Sequence, residues 1–178
     1  MARSYGLYTG NLRKTILHLK FYGREHLAKR LGGLLLRPFE ALTEHDSALV
    51  VPVPLHTSRS RQRGFNQAEL LARGLVRKIR RKERGLQLAA DLLIRVRPTL
   101  PQVGLSPSAR RENVRGVFSV AQPELVRNRT VLLVDDVMTT GATLSACAAA
   151  LKRAGAARVL ALSLARATPQ FPDTAASA

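Results

Sequence analysis

Cysteine, tryptophan and acidic residues are scarce in this sequence. Cys147 stands alone, which excludes an internal disulfide and any cysteine-rich zinc site. It lies among alanines and reads as a small buried hydrophobe rather than a reactive thiol. Tryptophan is absent and aromatic residues amount to 4%, which argues against a dedicated platform for stacking single-stranded bases. No apolar run is long enough to span a bilayer. The opening stretch MARSYGLYTGNLRK lacks the apolar centre of a signal peptide. A cytoplasmic protein with no membrane insertion is therefore expected. Acids number 12 against 29 lysines and arginines, for a net charge of +17. Such an excess favours polyanions, whether nucleic acid, phosphorylated metabolites or acidic partners. It equally describes a solvated basic surface, and charge alone does not choose between them.

The 178 residues, 46% of them hydrophobic, suit one domain with a proper core. Residues 130–154, TVLLVDDVMTTGATLSACAAALKRA, carry the strongest local pattern. Val131, Leu132, Leu133 and Val134 form an unbroken apolar run, as in a strand buried on both faces. The run ends in two carboxylates, Asp135 and Asp136, and then Val137. A turn follows, Thr139, Thr140, Gly141, Ala142 and Thr143. Then comes a helix with Leu144, Cys147, Ala148 and Leu151 on one face. This order suits a phosphorylated sugar. Free N–H groups and the dipole at a helix start attract an anion. Gly141 lets the backbone approach a phosphate, and the threonine hydroxyls can donate to it. Two carboxylates at a strand tip can accept hydrogen bonds from a vicinal diol. In open parallel sheets, ligands collect at the carboxyl ends of the strands.

The rest of the chain supplies the other elements. Residues 5–36 keep a rough helical period through Leu12, Ile16, Leu19, Leu27, Leu31 and Leu34, with Lys20, Arg24, Lys29 and Arg30 on the wet side. Residues 48–54, ALVVPVP, read as a strand whose prolines mark its carboxyl end. Asn66 is placed to start a helix running to about residue 81. Residues 92–97, 117–120 and 159–164 read as further strands. Residues 98–114 are polar and rich in proline and serine, either a surface connector or a flap. Strands alternating with helices predict an α/β fold with a mainly parallel central sheet flanked by helices. The expected division is an N-terminal helical segment (1–47), an α/β core (48–167) and a frayed tail (168–178).

Residues 131–143 resemble the phosphoribosyl pyrophosphate (PRPP) binding motif of the type I phosphoribosyltransferases. They match it as four apolar residues, two acids, two apolar residues, two hydroxylated residues, glycine and a closing threonine. A wider likeness, running to about Ala165, is similar to the ComF family, a branch of that fold linked to bacterial competence for DNA uptake. Three blocks carry it. The first is Val51-Pro52-Val53-Pro54-Leu55-His56 with Arg63-Gly64-Phe65-Asn66-Gln67. The second is Gln102, Leu105-Ser106, Arg110 or Arg111, Asn113-Val114 and Phe118. The third is the PRPP motif itself. Residues 8–35, with Leu19-Lys20 and Gly23, also resemble that family. Many of its members begin with a four-cysteine zinc module, and this sequence has no counterpart of it.

The resemblance implies a type I phosphoribosyltransferase-like fold and a set of roles. Thr139, Thr140, Gly141, Ala142 and Thr143, with Val137, would hold the 5-phosphate. Asp135 and Asp136 would take the ribose hydroxyls. The loop Pro54-Leu55-His56-Thr57 would hold pyrophosphate through the backbone N–H groups it has, with Arg61 and Arg63 adding charge. His56 reads as a loop residue making one hydrogen bond rather than as a general acid or base. Arg110 or Arg111 would reach the pyrophosphate from a closing lid at 98–114. Asp135, Asp136 and Arg110 are the catalytic candidates. Mg2+ would arrive with PRPP, chelated by pyrophosphate oxygens, with no protein metal ligands. The implied partners are PRPP or pyrophosphate, single-stranded DNA, and a second copy or a competence-machinery protein. Three functional readings stay open: a PRPP-binding accessory of DNA uptake or recombination, an active phosphoribosyl transferase on an unknown acceptor, and a PRPP-sensing regulator.

Overall fold

The computed structural model describes residues 1–22, 25–42, 47–55, 64–80, 85–99 and 106–168. The expected tail beyond 168 lies outside the described residues. The chain begins with a strand, β1 (Ala2–Leu7), followed by three helices, α1 (Gly10–Tyr22), α2 (Glu25–Leu34) and α3 (Leu36–Glu40). The apolar strand β2 (Ser47–Pro52) leads through a loop to α4 (Gln67–Arg80) and the short strand β3 (Gly85–Leu88). Next come β4 (Leu93–Arg95), α5 (Pro107–Asn113) and β5 (Phe118–Val120). The chain closes with β6 (Thr130–Met138), α6 (Ala142–Arg153) and β7 (Arg158–Arg166).

Five strands make a wholly parallel sheet in the order β1-β7-β6-β2-β3. The centre is β6, which is why its apolar run is unbroken. Leu132 and Val134 face a core built with Ile16, Leu31, Phe39, Leu71, Leu75 and Ile79 from α1 to α4. Val131 and Leu133 face a second core with Leu144, Cys147 and Leu151 of α6 and with Leu93 and Phe118. The pleat sends alternate residues to opposite faces, so each face needs its own apolar cover.

Two expectations are corrected. Residues 5–7 do not belong to the N-terminal helix but to β1, paired to β7 from Ala2↔Ala161 to Leu7↔Arg166. Its side chains alternate between half-buried and exposed, because an edge strand has one poorly covered face. The strand expected at 92–97 is shorter and does not join the main sheet. β4 pairs with β5 in an antiparallel ribbon. Within 98–114 the structure adds α5, whose first turn is capped by Ser106 Oγ accepting from the Ala109 N–H at 3.2 Å.

α2 and α4 touch backbone to backbone. A Cβ built on Gly32 would stand 2.5 Å from the Leu71 carbonyl oxygen, and one on Gly74 would stand 3.0 Å from Gly32 Cα. Glycine at both positions is what lets these helices approach so closely.

Candidate functional site

The crossover β2–α4–β3 runs on one face of the sheet and β6–α6–β7 on the other, since α4 and α6 pack on opposite cores. The carboxyl ends of the neighbours β2 and β6 therefore open a crevice at a topological switch point, where open α/β sheets take their ligands. The strands part late. The Val53 N–H still donates to Val134 O at 2.9 Å, and then β2 gives way to Pro54 and Leu55, both half-buried.

The far end of that loop is tied back to the sheet by Asn66. Its Nδ2 donates to Val53 O at 3.1 Å, and its Oδ1 accepts from the Ala68 N–H at 3.0 Å, capping α4. One side chain thus starts the helix, as expected, and also closes the loop's base. His56, Thr57, Arg61 and Arg63 lie outside the described residues.

β6 delivers the twin acids to the crevice. Asp135 Oδ1 accepts from the Asp136 N–H at 2.9 Å. The chain then turns through Thr139, Thr140 and Gly141 into α6. Gly141 has φ +75, a left-handed conformation that costs a residue with a Cβ on the order of 1–2 kcal/mol. As N-cap it contributes only backbone: its carbonyl accepts from the Ser145 N–H at 2.8 Å. Thr140 Oγ1 lies 3.4 Å from the Ala142 N–H. The first turn of α6 therefore faces a cavity of about 90 Å³ lined by Lys20, Asp135, Val137, Met138, Thr139, Gly141, Ala142, Thr143 and Leu144. Of the residues expected to hold a 5-phosphate, Val137, Thr139, Gly141, Ala142 and Thr143 line this cavity, while Thr140 is exposed and does not.

Lys20 is the residue that sequence reasoning misplaced. It does not sit on the wet side of α1. Its Nζ lies 3.2 Å from Asp136 Oδ2, and the two side chains are only 16% and 13% exposed. One signal was available: Lys20 follows Ile16 by four residues, on the same helical face as that fully buried side chain.

Burial first, and then the neighbouring Asp136 charge, push the Asp135 carboxyl up to about 7; the Asp136 N–H and Lys20 pull it partly back. A carboxyl raised in the folded state holds its proton there while the unfolded chain has lost it. Between about pH 4 and pH 7 the folded form binds more protons, so this group's contribution to stability falls as pH rises and is lowest above 7. Asp135→Asn is expected to raise stability at pH 8 by about 1–2 kcal/mol, allowing for water screening at a half-buried position. That advantage should vanish near pH 4. Thermal melts of both proteins across this range measure it, and a pH-independent difference would remove the argument. Burial likewise pushes the Cys147 thiol well above its usual range, as suits a packing residue.

Among the catalytic candidates, Asp135 and Asp136 meet at the crevice, while the Arg110 side chain lies outside the described residues. Arg111 is exposed. It lines a separate groove of about 340 Å³ with Arg115, Ala146, Ala149 and Arg153, between α5 and α6. Among the described residues no three His, Cys, Asp or Glu side chains group as a metal site, and no helix is long and apolar enough to cross a membrane.

Residues 82–175 match the phosphoribosyl transferase domain family. Competence protein F of Haemophilus influenzae is 35% identical over 167 residues, covering 91% of this chain and 71% of that protein. The DNA utilization protein YhgH of Escherichia coli O157:H7 is 37% identical over 158 residues, covering 85% of this chain and 66% of that protein. Among solved structures, the glutamine PRPP amidotransferase from B. subtilis complexed with ADP and GMP aligns with a TM-score of 0.47 at 23% identity. The alignment covers 76% of this chain and 25% of that one.

Proposed function

Because the chain belongs to the phosphoribosyl transferase domain family, in its ComF branch, we propose that it binds PRPP at the mouth of α6 and serves DNA uptake or recombination. The observation that carries this reading is the cavity where a glycine-started helix, Thr139, Thr143 and Asp135 converge beside Lys20, which is paired in turn with Asp136. The first-turn N–H groups of α6 and the threonine hydroxyls take the 5-phosphate. The Asp135 and Asp136 carboxylates take the ribose O2 and O3 hydroxyls, which fixes the ring and presents C1 to the mouth of the β2 loop. The loop that begins at Pro54 and Leu55 takes the pyrophosphate. Mg2+ would travel with the pyrophosphate, chelated by its oxygens, and would supply charge neutralisation of the leaving group. The protein's own part is positioning and electrostatic stabilisation of charge at C1.

The role in DNA uptake rests on the relatives named for competence and DNA utilization and on the +17 charge. A second reading, active transfer of phosphoribose to an acceptor, is favoured by Asp135. A carboxyl held near pH 7 beside the cavity can give or take a proton at neutral pH.

Calorimetric titration with PRPP and Mg2+ tests the site. Saturable binding is expected, and ribose without its phosphate should give none. If PRPP gives neither heat nor thermal protection, the reading is wrong. In the same preparations, oligonucleotide affinity should fall steeply with salt. Pyrophosphate release on adding an acceptor extract would favour transfer.

A further inference from the structure

We propose that Lys20 is a fourth wall of the phosphate cradle, a cation that Asp136 holds and hands to an incoming phosphate. The inference rests on the ribose-phosphate reading of the cavity and goes beyond it. It assigns a ligand contact to α1, outside every stretch of the PRPP motif.

Three observations carry it. Lys20 and the first turn of α6 line the same small cavity, so an anion on the helix N–H groups would have the ammonium opposite. The pair with Asp136 is half-buried at 3.2 Å, where a charge without a counter-charge is unfavourable and a partner is needed in both states. Asp136 also adjoins Asp135, whose carboxyl the ammonium is close enough to act on, so Lys20 lies beside both acids of the site. A phosphate dianion competes for that ammonium. As it engages, Asp136 shares the ammonium with the phosphate, and its freed lone pairs turn to hydroxyl donors, which the ribose of the same ligand supplies. Phosphate binding thereby prepares the carboxylate for the sugar.

Inorganic phosphate is the probe, because it lacks the ribose and isolates the cation. Its affinity for the full chain is read from the amide shifts of Gly141 and Thr143 in titrations of wild type, Lys20→Met, Lys20→Arg and Asp136→Asn. Lys20→Met should lose about tenfold or more in affinity, with Lys20→Arg recovering much of it. Asp136→Asn should gain affinity, since it removes a competitor for Lys20 and a repelling charge. Opposite signs for Lys20→Met and Asp136→Asn are the signature. If both variants lose affinity alike, Lys20 acts only by holding Asp136, and the proposal is overturned. It is overturned too if Lys20→Met binds like wild type while remaining folded by its thermal melt. Wild type that binds phosphate with this pattern but not PRPP would leave Lys20's role standing and remove the PRPP reading. Wild type that binds neither removes both.

Discussion

Gly32→Val should destabilise the protein by about 3 kcal/mol or more, lowering the melting temperature by roughly 6–12 °C. Even the first added carbon would stand 2.5 Å from the Leu71 carbonyl oxygen and 2.8 Å from Gly74 Cα. Both are backbone atoms, so relief requires moving one helix off the other. That movement would open the core where Leu71, Leu75 and Ile79 meet Val50 and Leu132. The adjacent residue is the control. A Cβ on Gly33 meets nothing within 4 Å, so Gly33→Ala should be neutral or stabilise by about 0.5–1 kcal/mol through helix propensity. Denaturant melts of the two variants side by side decide the matter. Equal effects would mean that glycine is kept at position 32 for some reason other than close approach.

Gly141→Val is expected to separate fold from ligand. A Cβ there also meets no protein atom within 4 Å, but the residue has φ +75 and lines the cavity. The strain costs on the order of 1–3 kcal/mol, which the sheet should survive. The new side chain would occupy the space in which an anion approaches the α6 amides. Affinity for ribose 5-phosphate should drop about a hundredfold, equivalent to some 2.7 kcal/mol. Circular dichroism should remain that of the folded protein. A folded Gly141→Val that still binds ribose 5-phosphate like wild type would show that the ligand does not use this helix mouth.

What could be read before the structure follows from how local each signal is. β6 and α6 were legible because Val131 to Val134 are apolar on both faces and the threonine-glycine turn lies between two strong elements. Asn66 was legible as a helix start, since a short polar side chain caps a helix within its own sequence. Its bond to Val53 O was not, because that bond depends on where the loop returns. β1 was missed because ARSYGL is short and holds a glycine, and its outward residues are exposed. β3 was missed because GLQL follows a basic run and has only one buried side chain. Lys20 was misread for a tertiary reason. A lysine on an amphipathic helix normally lies in water, and only the crossing of α1 to the carboxyl end of β6 brings it to Asp136.

The pairing of β1 with β7 has a consequence for how the protein is made. Residues 2–7 are made long before their register partners, residues 161–166. The nascent chain must carry β1 unzipped until β7 has emerged, so the seam between them cannot close while the first six strands are being made.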